Sequence, residues 1–140
     1  ATLRLGTLSK ITSSHLIDCT CSIHIGQYST IAGANTQVWT HGYKHDQSGP
    51  GRHRIDGKIH IGNNVYIGSA SVLNAGIYIS DSITVGSHSS ISKSLLLPGT
   101  YVSQSLRHIQ ASPDFSADTV QFLRKNEDGE IIYRKTIRRS

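Results

Sequence analysis

The sequence predicts an all-β repeat fold: short strands wound into a three-sided coil whose turns stack along one axis. Two observations carry the prediction. From Ile61 onward an aliphatic residue returns every six positions, at Ile61, Ile67, Leu73, Ile79, Val85, Ile91 and Leu97. A helix repeats every 3.6 residues and a plain strand every two, so a period of six fits neither, whereas a short strand plus a corner fits it. The composition is also thin for a layered core: 36% hydrophobic, with one Trp, six Tyr and two Phe. That filling suits a narrow interior of Ile, Val and Leu.

The elements follow in chain order. Leu5, Ile11 and Ile17 begin the rhythm, and Ile25, Ile31 and the near miss Gln37–Val38 continue it. The step from Ile17 to Ile25 is eight, so two residues are inserted around "CTCSIH". Four places after each later aliphatic come Val65, Ser71, Ile77, Ile83, Ser89, Leu95 and Tyr101, mostly small or aliphatic. Three strand-plus-corner segments close one coil, and coils stack at the strand spacing of roughly 4.8 Å. Gly62, Gly68 and Gly86 directly follow an aliphatic and are expected to tolerate the tight bend. Each inward aliphatic contributes about 1.5–3 kcal/mol of burial. A single segment cannot fold alone, so the stack must be continuous or capped. Helix or hairpin signals at the intervals an α/β fold or a sandwich needs are missing between Leu5 and Leu97.

The rhythm stops once, at "WTHGYKHDQSGPGRHR", residues 39–54. In a stacked coil an insertion can leave only at a corner, so this stretch, with Gly49, Pro50 and Gly51, is expected to project as an extruded loop. Loops of that length are usually functional or disordered. After Pro113, "DTVQFLRKNEDGEIIYRKTIR" alternates apolar and polar residues around "NEDG". That is a hairpin signal, with strands expected roughly over residues 120–125 and 130–136. The expected organisation is a coil over residues 1–107 and a C-terminal extension over 108–140, the hairpin covering an open coil end or reaching a neighbouring subunit.

The charge narrows the partners. The net charge is +5, and six of the fourteen Lys and Arg lie between Arg124 and Arg139. A solvated basic tail and a patch for an anionic ligand both fit. No nucleic-acid reading motif accompanies the charge. The apolar run Leu95–Leu97 is far too short to span a membrane. Met is absent, even at position 1, so the numbering is expected to begin after a processed, tagged or truncated N-terminus. Cys19 and Cys21 alternate on one strand, which suits disulfide geometry poorly, and are expected to be reduced thiols in a cytoplasmic protein.

The stretch "IHIGNNVYIGSASVLNAGIYISDSITVGSHSSISKSLLLPGTYV" resembles the hexapeptide-repeat acyltransferases, closest to the sugar O-acetyltransferases. The resemblance covers about residues 5–107. It implies a left-handed parallel β-helix, against the general right-handed preference of crossovers. The same repeats occur in γ-class carbonic anhydrases and in nucleotidyltransferase tails. Family members carry one extended loop at this point with a histidine near its start as general base. The implied function is an acetyl-CoA-dependent O-acetyltransferase acting on a sugar or sugar-containing acceptor, working as a homotrimer with coenzyme A in a groove between subunits.

Carried onto this chain, the resemblance places the base at His41 in "WTHG", with His45 the second choice. Acetyl transfer from a thioester needs a group that removes a proton as the acceptor attacks. Imidazole suits neutral pH and contributes roughly 10²–10⁴-fold. His53 is expected to be solvent-exposed, His24, His60 and His88 to be surface residues, and Asp46 is a candidate to orient an imidazole. Trp39 and Tyr43 flank the base. They could bind a sugar ring or the pantetheine arm, and Trp39 could equally pack the loop against the coil. The implied donor positions are Gly68, Ser69 and Ala70 in "IGSAS", Gly86 and Ser87 in "VGSHS", Ser92 and Lys93 in "ISKS", and Arg107. Where many members continue with a "GNPAR"-like turn, this chain reads "SQSLRH". No metal is expected. Two alternatives stay open: a zinc hydratase of the γ-carbonic anhydrase kind, with His41, His45 and His60 as conceivable ligands from adjacent subunits, and a non-catalytic β-helix scaffold.

Overall fold

The computed structural model describes residues 1–103 and the two strands Gln121–Lys125 and Ile131–Arg134. Residues 1–103 wind through short strands in strict rotation. The first coil holds β1 (Leu3–Leu5), β2 (Lys10–Ile11) and β3 (Leu16–Ile17); the second holds β4 (Ile23–Ile25), β5 (Thr30–Ile31) and β6 (Gln37–Val38). A projecting ribbon, β7 (His41–His45) and β8 (Arg52–Asp56), follows. The third coil holds β9 (Ile59–Ile61), β10 (Tyr66–Ile67) and β11 (Val72–Leu73), and the fourth β12 (Tyr78–Ile79), β13 (Ile83–Val85) and β14 (Ser90–Ile91). β15 (Gly99–Tyr101) begins closing a fifth. Corresponding strands pair in parallel into three sheets, ordered β1-β4-β9-β12, β15-β13-β10-β5-β2 and β14-β11-β6-β3.

Register explains the rhythm. Leu5, Ile25, Ile61 and Ile79 stack in one column, Ile31, Ile67 and Val85 in the next, and Val38, Leu73 and Ile91 in the third. From the second coil to the fourth these side chains are almost wholly buried. The positions between them also face inward, and where those are polar they form a hydroxyl ladder. Ser71 Oγ donates to the Gly68 carbonyl at 2.8 Å, and the Ser89 N–H donates to Ser71 Oγ at 3.3 Å. Ser29 Oγ bridges the Gly62 carbonyl at 2.7 Å and the Val65 N–H at 3.0 Å. Among the described residues no buried side-chain polar atom lacks a partner, as a dry interior requires. The first coil is the outer strand of each sheet, and Leu3, Leu5 and Leu16 are each 40–46% exposed there.

Three expectations need correction. The bend is not made at the glycines that follow the aliphatics: the left-handed residue lies three places past the aliphatic, at Asn64, Ala70, Gly76, Ser82 and His88. The glycines instead permit close stacking. A Cβ on Gly26 would sit 2.7 Å from the Gly62 carbonyl carbon, and one on Gly68 2.6 Å from the Ser87 nitrogen. Second, Val38 rather than Gln37 holds the interior position, because the corner before it has two left-handed residues, Gly33 and Asn35, and absorbs one extra residue. Third, the rhythm ends before Leu97, which is 75% exposed. Leu95 bridges to Ile79 instead, so the last coil is two residues short.

A stability prediction follows. Gly26→Ala drives a Cβ into backbone and should cost about 1–3 kcal/mol. In Gly86→Ala the nearest atom is 3.5 Å away, and the change should be close to neutral. Ser82→Gly, at φ 59°, should stabilise by up to about 1 kcal/mol. Urea unfolding midpoints of the three variants check this order.

By its backbone contacts the chain divides into residues Ala1–Gln104 and Ser105–Ser140. In the second unit β16 (Gln121–Lys125) pairs antiparallel with β17 (Ile131–Arg134), with a register shift between Phe122 and Arg124. The outer limits of the hairpin expected over 120–136 lie outside the described residues.

Candidate active site

The corner after β6 is where the chain leaves the coil. Its base is anchored twice: the Trp39 N–H donates to the Leu73 carbonyl at 2.9 Å, and on return the Gly57 N–H donates to the Thr40 carbonyl at 2.9 Å. Between them β7 and β8 form a regular antiparallel ribbon, with His41 opposite Asp56, Tyr43 opposite Arg54 and His45 opposite Arg52. The tip closes through the Asp46 N–H to the Gly51 carbonyl at 2.9 Å, with Gly49 at φ 75°.

His41 stands at the foot of this ribbon, directly over the first coil. The two-residue insertion read in "CTCSIH" lengthens the corresponding corner below and presents Asp18 upward. His41 Nδ1 donates to Asp18 Oδ2 at 2.8 Å. A carboxylate only accepts, so Nδ1 carries a proton, and in the neutral ring the lone pair is on Nε2. The same carboxylate accepts the Thr40 N–H at 3.0 Å and the Thr40 hydroxyl at 2.8 Å, while Thr20 Oγ1 donates to Asp18 Oδ1 at 2.8 Å. The Thr40 hydroxyl oxygen also accepts the Cys21 N–H at 2.9 Å. Burial alone raises the Asp18 pKa, but hydrogen bonds from His41, Thr20 and Thr40 outweigh it and hold the group well below the usual carboxylate range. Asp18 is therefore a fixed anion at neutral pH. The side chains of His41 and Asp18 are 25% and 16% exposed, so the pair is shielded but reachable.

Trp39 and Tyr43 each lie nearly perpendicular to the imidazole in T-shaped contacts, with centroids at 6.0 and 6.1 Å. Trp39 Nε1 donates to Gln37 Oε1 at 2.9 Å, which fixes the indole against the coil. His45 lies at the far end of β7, exposed. Asp46 pairs with His53 at 3.2 Å, and that histidine is 75% exposed. Asp46 thus orients His53, and the partner of His41 is Asp18, which the sequence reading did not single out. The signal was the insertion itself: offsetting by one irregular coil aligns Ile17 with Val38 and brings "DCT" under "WTH".

The remaining positions occupy different edges of the coil. Gly68, Ser69, Ala70, Gly86 and Ser87 stack at one corner, where the His88 N–H donates to the Ser69 carbonyl at 2.9 Å. Gly33 extends that column, its Cβ position meeting Ser69. Ser92 and Lys93 follow β14, at the corner that one coil earlier carries Asn74–Gly76 and two coils earlier the ribbon. They line a cavity of about 250 Å³ together with Ile91, Leu95, Tyr101 and Val102, beside the shortened last coil of the described residues. Within one chain these two groups do not meet. Arg107 lies outside the described residues. His88 is an exposed corner residue, whereas His24 and His60 belong to a row on the outer face of β4, β9 and β12. The His24 ring meets His60 edge-on at 4.9 Å, and His60 stacks on Tyr78 at 4.6 Å. Burial, then the neighbouring His24, lowers the His60 pKa. His60 therefore sits on a flat sheet face, His41 and His45 on the ribbon. Among the described residues no group of three or more His, Cys, Asp or Glu converges as metal ligands, and no helix is long and apolar enough to cross a membrane. Cys19 and Cys21 are both free.

Comparison with solved structures places this coil among the hexapeptide-repeat β-helices. A hexapeptide-repeat-containing acetyltransferase from Vibrio cholerae superposes with a TM-score of 0.65 at 23% identity, over 80% of this chain and 64% of that one. A maltose O-acetyltransferase from Clostridium difficile gives 0.62 at 23% identity, over 78% and 60%. An N-acyltransferase from Bacillus cereus, solved with dTDP and coenzyme A, gives 0.53 at 20%, over 78% and 60%. The chain thus spans less than two thirds of the length of these structures. No family model matches it, and no curated protein does. The fold is the all-β, left-handed parallel helix of hexapeptide repeats with one extruded ribbon.

Proposed function

We propose that the chain is an acyltransferase that moves an acetyl group from acetyl-CoA to a hydroxyl of a sugar or sugar-containing acceptor. One observation carries this reading: an anionic Asp18 holds the His41 imidazole by Nδ1 at 2.8 Å at the root of a projecting ribbon, leaving Nε2 free to accept a proton. That is the arrangement of a general base with its orienting group. The acceptor hydroxyl gives its proton to Nε2 as its oxygen attacks the thioester carbonyl. Collapse of the tetrahedral intermediate expels coenzyme A as thiolate, which takes the proton back from the imidazolium. No covalent enzyme intermediate is required. Asp18 offsets the charge that forms on His41 and keeps the ring in the productive tautomer.

For the donor, the column Gly68, Ser69, Ala70, Gly86 and Ser87 offers close approach to backbone, and Ser92 and Lys93 a hydroxyl and a mobile cation beside the cavity. Because these edges are separate in one chain, a complete donor groove takes a second copy, in keeping with the homotrimer that the family resemblance implies. Trp39 and Tyr43 are assigned to the acceptor side.

The test is thioester cleavage by the purified protein, followed by thiol release from acetyl-CoA, against a panel of neutral and charged sugars. At least one acceptor should accelerate release far above the acceptor-free rate. If none does, and coenzyme A well above micromolar gives no thermal stabilisation, the scaffold reading replaces this one.

A further inference from the structure

The ribbon carries more than the base. Opposed residues of an antiparallel pair share a face, as do residues two apart on one strand. The register therefore puts His41, Tyr43, His45, Arg52, Arg54 and Asp56 on one side, and Gly42, Lys44, His53 and Ile55 on the other. The contacts agree. The Arg52 guanidinium lies over the Tyr43 ring, 4.9 Å from its centroid, and the Tyr43 ring is 6.1 Å from His41. Arg54 differs: its Nε donates to Asp56 Oδ1 at 2.7 Å, so its charge is already matched. Asp46 is spent on His53. Among the described residues Arg52 has only the aromatic face as a partner, and that face holds its planar fork in place.

We propose that Arg52, positioned by Tyr43, forms an anion subsite on the His41 face of the ribbon, and that the acceptor is a phosphorylated sugar. This deepens the proposed function and rests on it. The two steps of 6.1 and 4.9 Å put the guanidinium no more than about 11 Å from the imidazole. A sugar whose hydroxyl reaches His41 Nε2 can place a phosphate against Arg52 within that span, its ring passing Tyr43. A guanidinium binds phosphate through two parallel N–H···O bonds, which fixes orientation as well as affinity. Arg52 is in this scheme a specificity residue: it holds the substrate and takes no part in the proton transfer.

Trp39 is the single Trp of the chain, 6.0 Å from His41, and its fluorescence reports occupancy without turnover. Glucose 1-phosphate and UDP-glucose should each change it saturably, and glucose should not. Arg52→Gln should weaken both anionic probes at least about tenfold, Arg52→Lys should restore part of the loss, and Lys44→Gln, on the opposite face, should leave binding unchanged. A much tighter response to UDP-glucose makes the natural ligand a nucleotide sugar; equal responses make it a simple sugar phosphate. Glucose binding as well as its phosphate, or an Arg52→Gln variant that binds both probes normally, overturns the subsite. Thioester cleavage measured in parallel separates the two ideas. Arg52-dependent anion binding with no acceptor-stimulated cleavage sinks the transferase reading and leaves the subsite standing. Cleavage with neutral sugars, indifferent to Arg52, does the reverse.

Discussion

His41→Ala lowers kcat by roughly two to four orders of magnitude, the range a positioned general base supplies. Binding of coenzyme A, measured by calorimetry, stays within about threefold, because none of the proposed donor positions lies on the ribbon. The fold should tolerate the change, since His41 lies outside the buried core and only Asp18 loses a strong partner. The corresponding His45→Ala variant, truncated at an exposed site on the far end of β7, should turn over within about threefold of the unaltered protein. A His41→Ala enzyme with near-normal kcat would remove the ribbon's foot from the chemistry.

Asp18→Asn has the second largest expected effect, and it separates the charge of the carboxylate from its packing and hydrogen bonds. The amide is nearly isosteric, and because Oδ2 also accepts the Thr40 N–H and hydroxyl, the asparagine keeps its oxygen there, turns its NH₂ toward Thr20 and still accepts from Nδ1. His41 then keeps its tautomer but loses the fixed anion that offsets the charge forming on the ring. The loss of that charge should lower kcat about 10–10²-fold with KM little changed. Nitrogen NMR of His41 should show Nδ1 still protonated in the neutral ring, so that a slower enzyme reports the missing charge and not a reversed tautomer. The double variant His41→Ala with Asp18→Asn should be hardly slower than His41→Ala alone, since both act through one proton transfer. The pH dependence has a definite sign. The Asp18 pKa is depressed in the folded chain, so its contribution to stability is fully present above the ordinary carboxylate pKa and is lost as pH falls below it. At neutral pH Asp18 is not a titrating partner. Asp18→Asn should flatten the acid limb of the urea-unfolding stability curve, and an unchanged limb would show that the carboxylate is not held as described.

Much of this was legible beforehand, for a physical reason. An interior a few ångströms wide admits only one or two side chains per side of each coil, so Ile61, Ile67, Leu73, Ile79, Val85 and Ile91 repeat with little freedom. The ribbon was visible as the place where that constraint lapses, and Trp39, His41 and Tyr43 as its chemically capable residues. The near misses share a cause. Glycine after an aliphatic reads as a turn residue, yet Gly26 and Gly68 are small because the neighbouring coil touches them. Leu97 obeys the count but lies outside, because two residues are missing before Leu95.

By itself the chain's one-dimensional pattern determined the coil, its period and the point where it is interrupted, because stacking translates the same steric demand onto every sixth residue. The tertiary structure alone decided which groups act together. Coil neighbours lie about twenty positions apart in sequence and roughly 4.8 Å apart in space, so Asp18 meets His41 across 23 residues and no local motif announces it. Likewise only strand pairing in the ribbon, with its fixed alternation of faces, could bring Arg52 over Tyr43 on the side that bears His41.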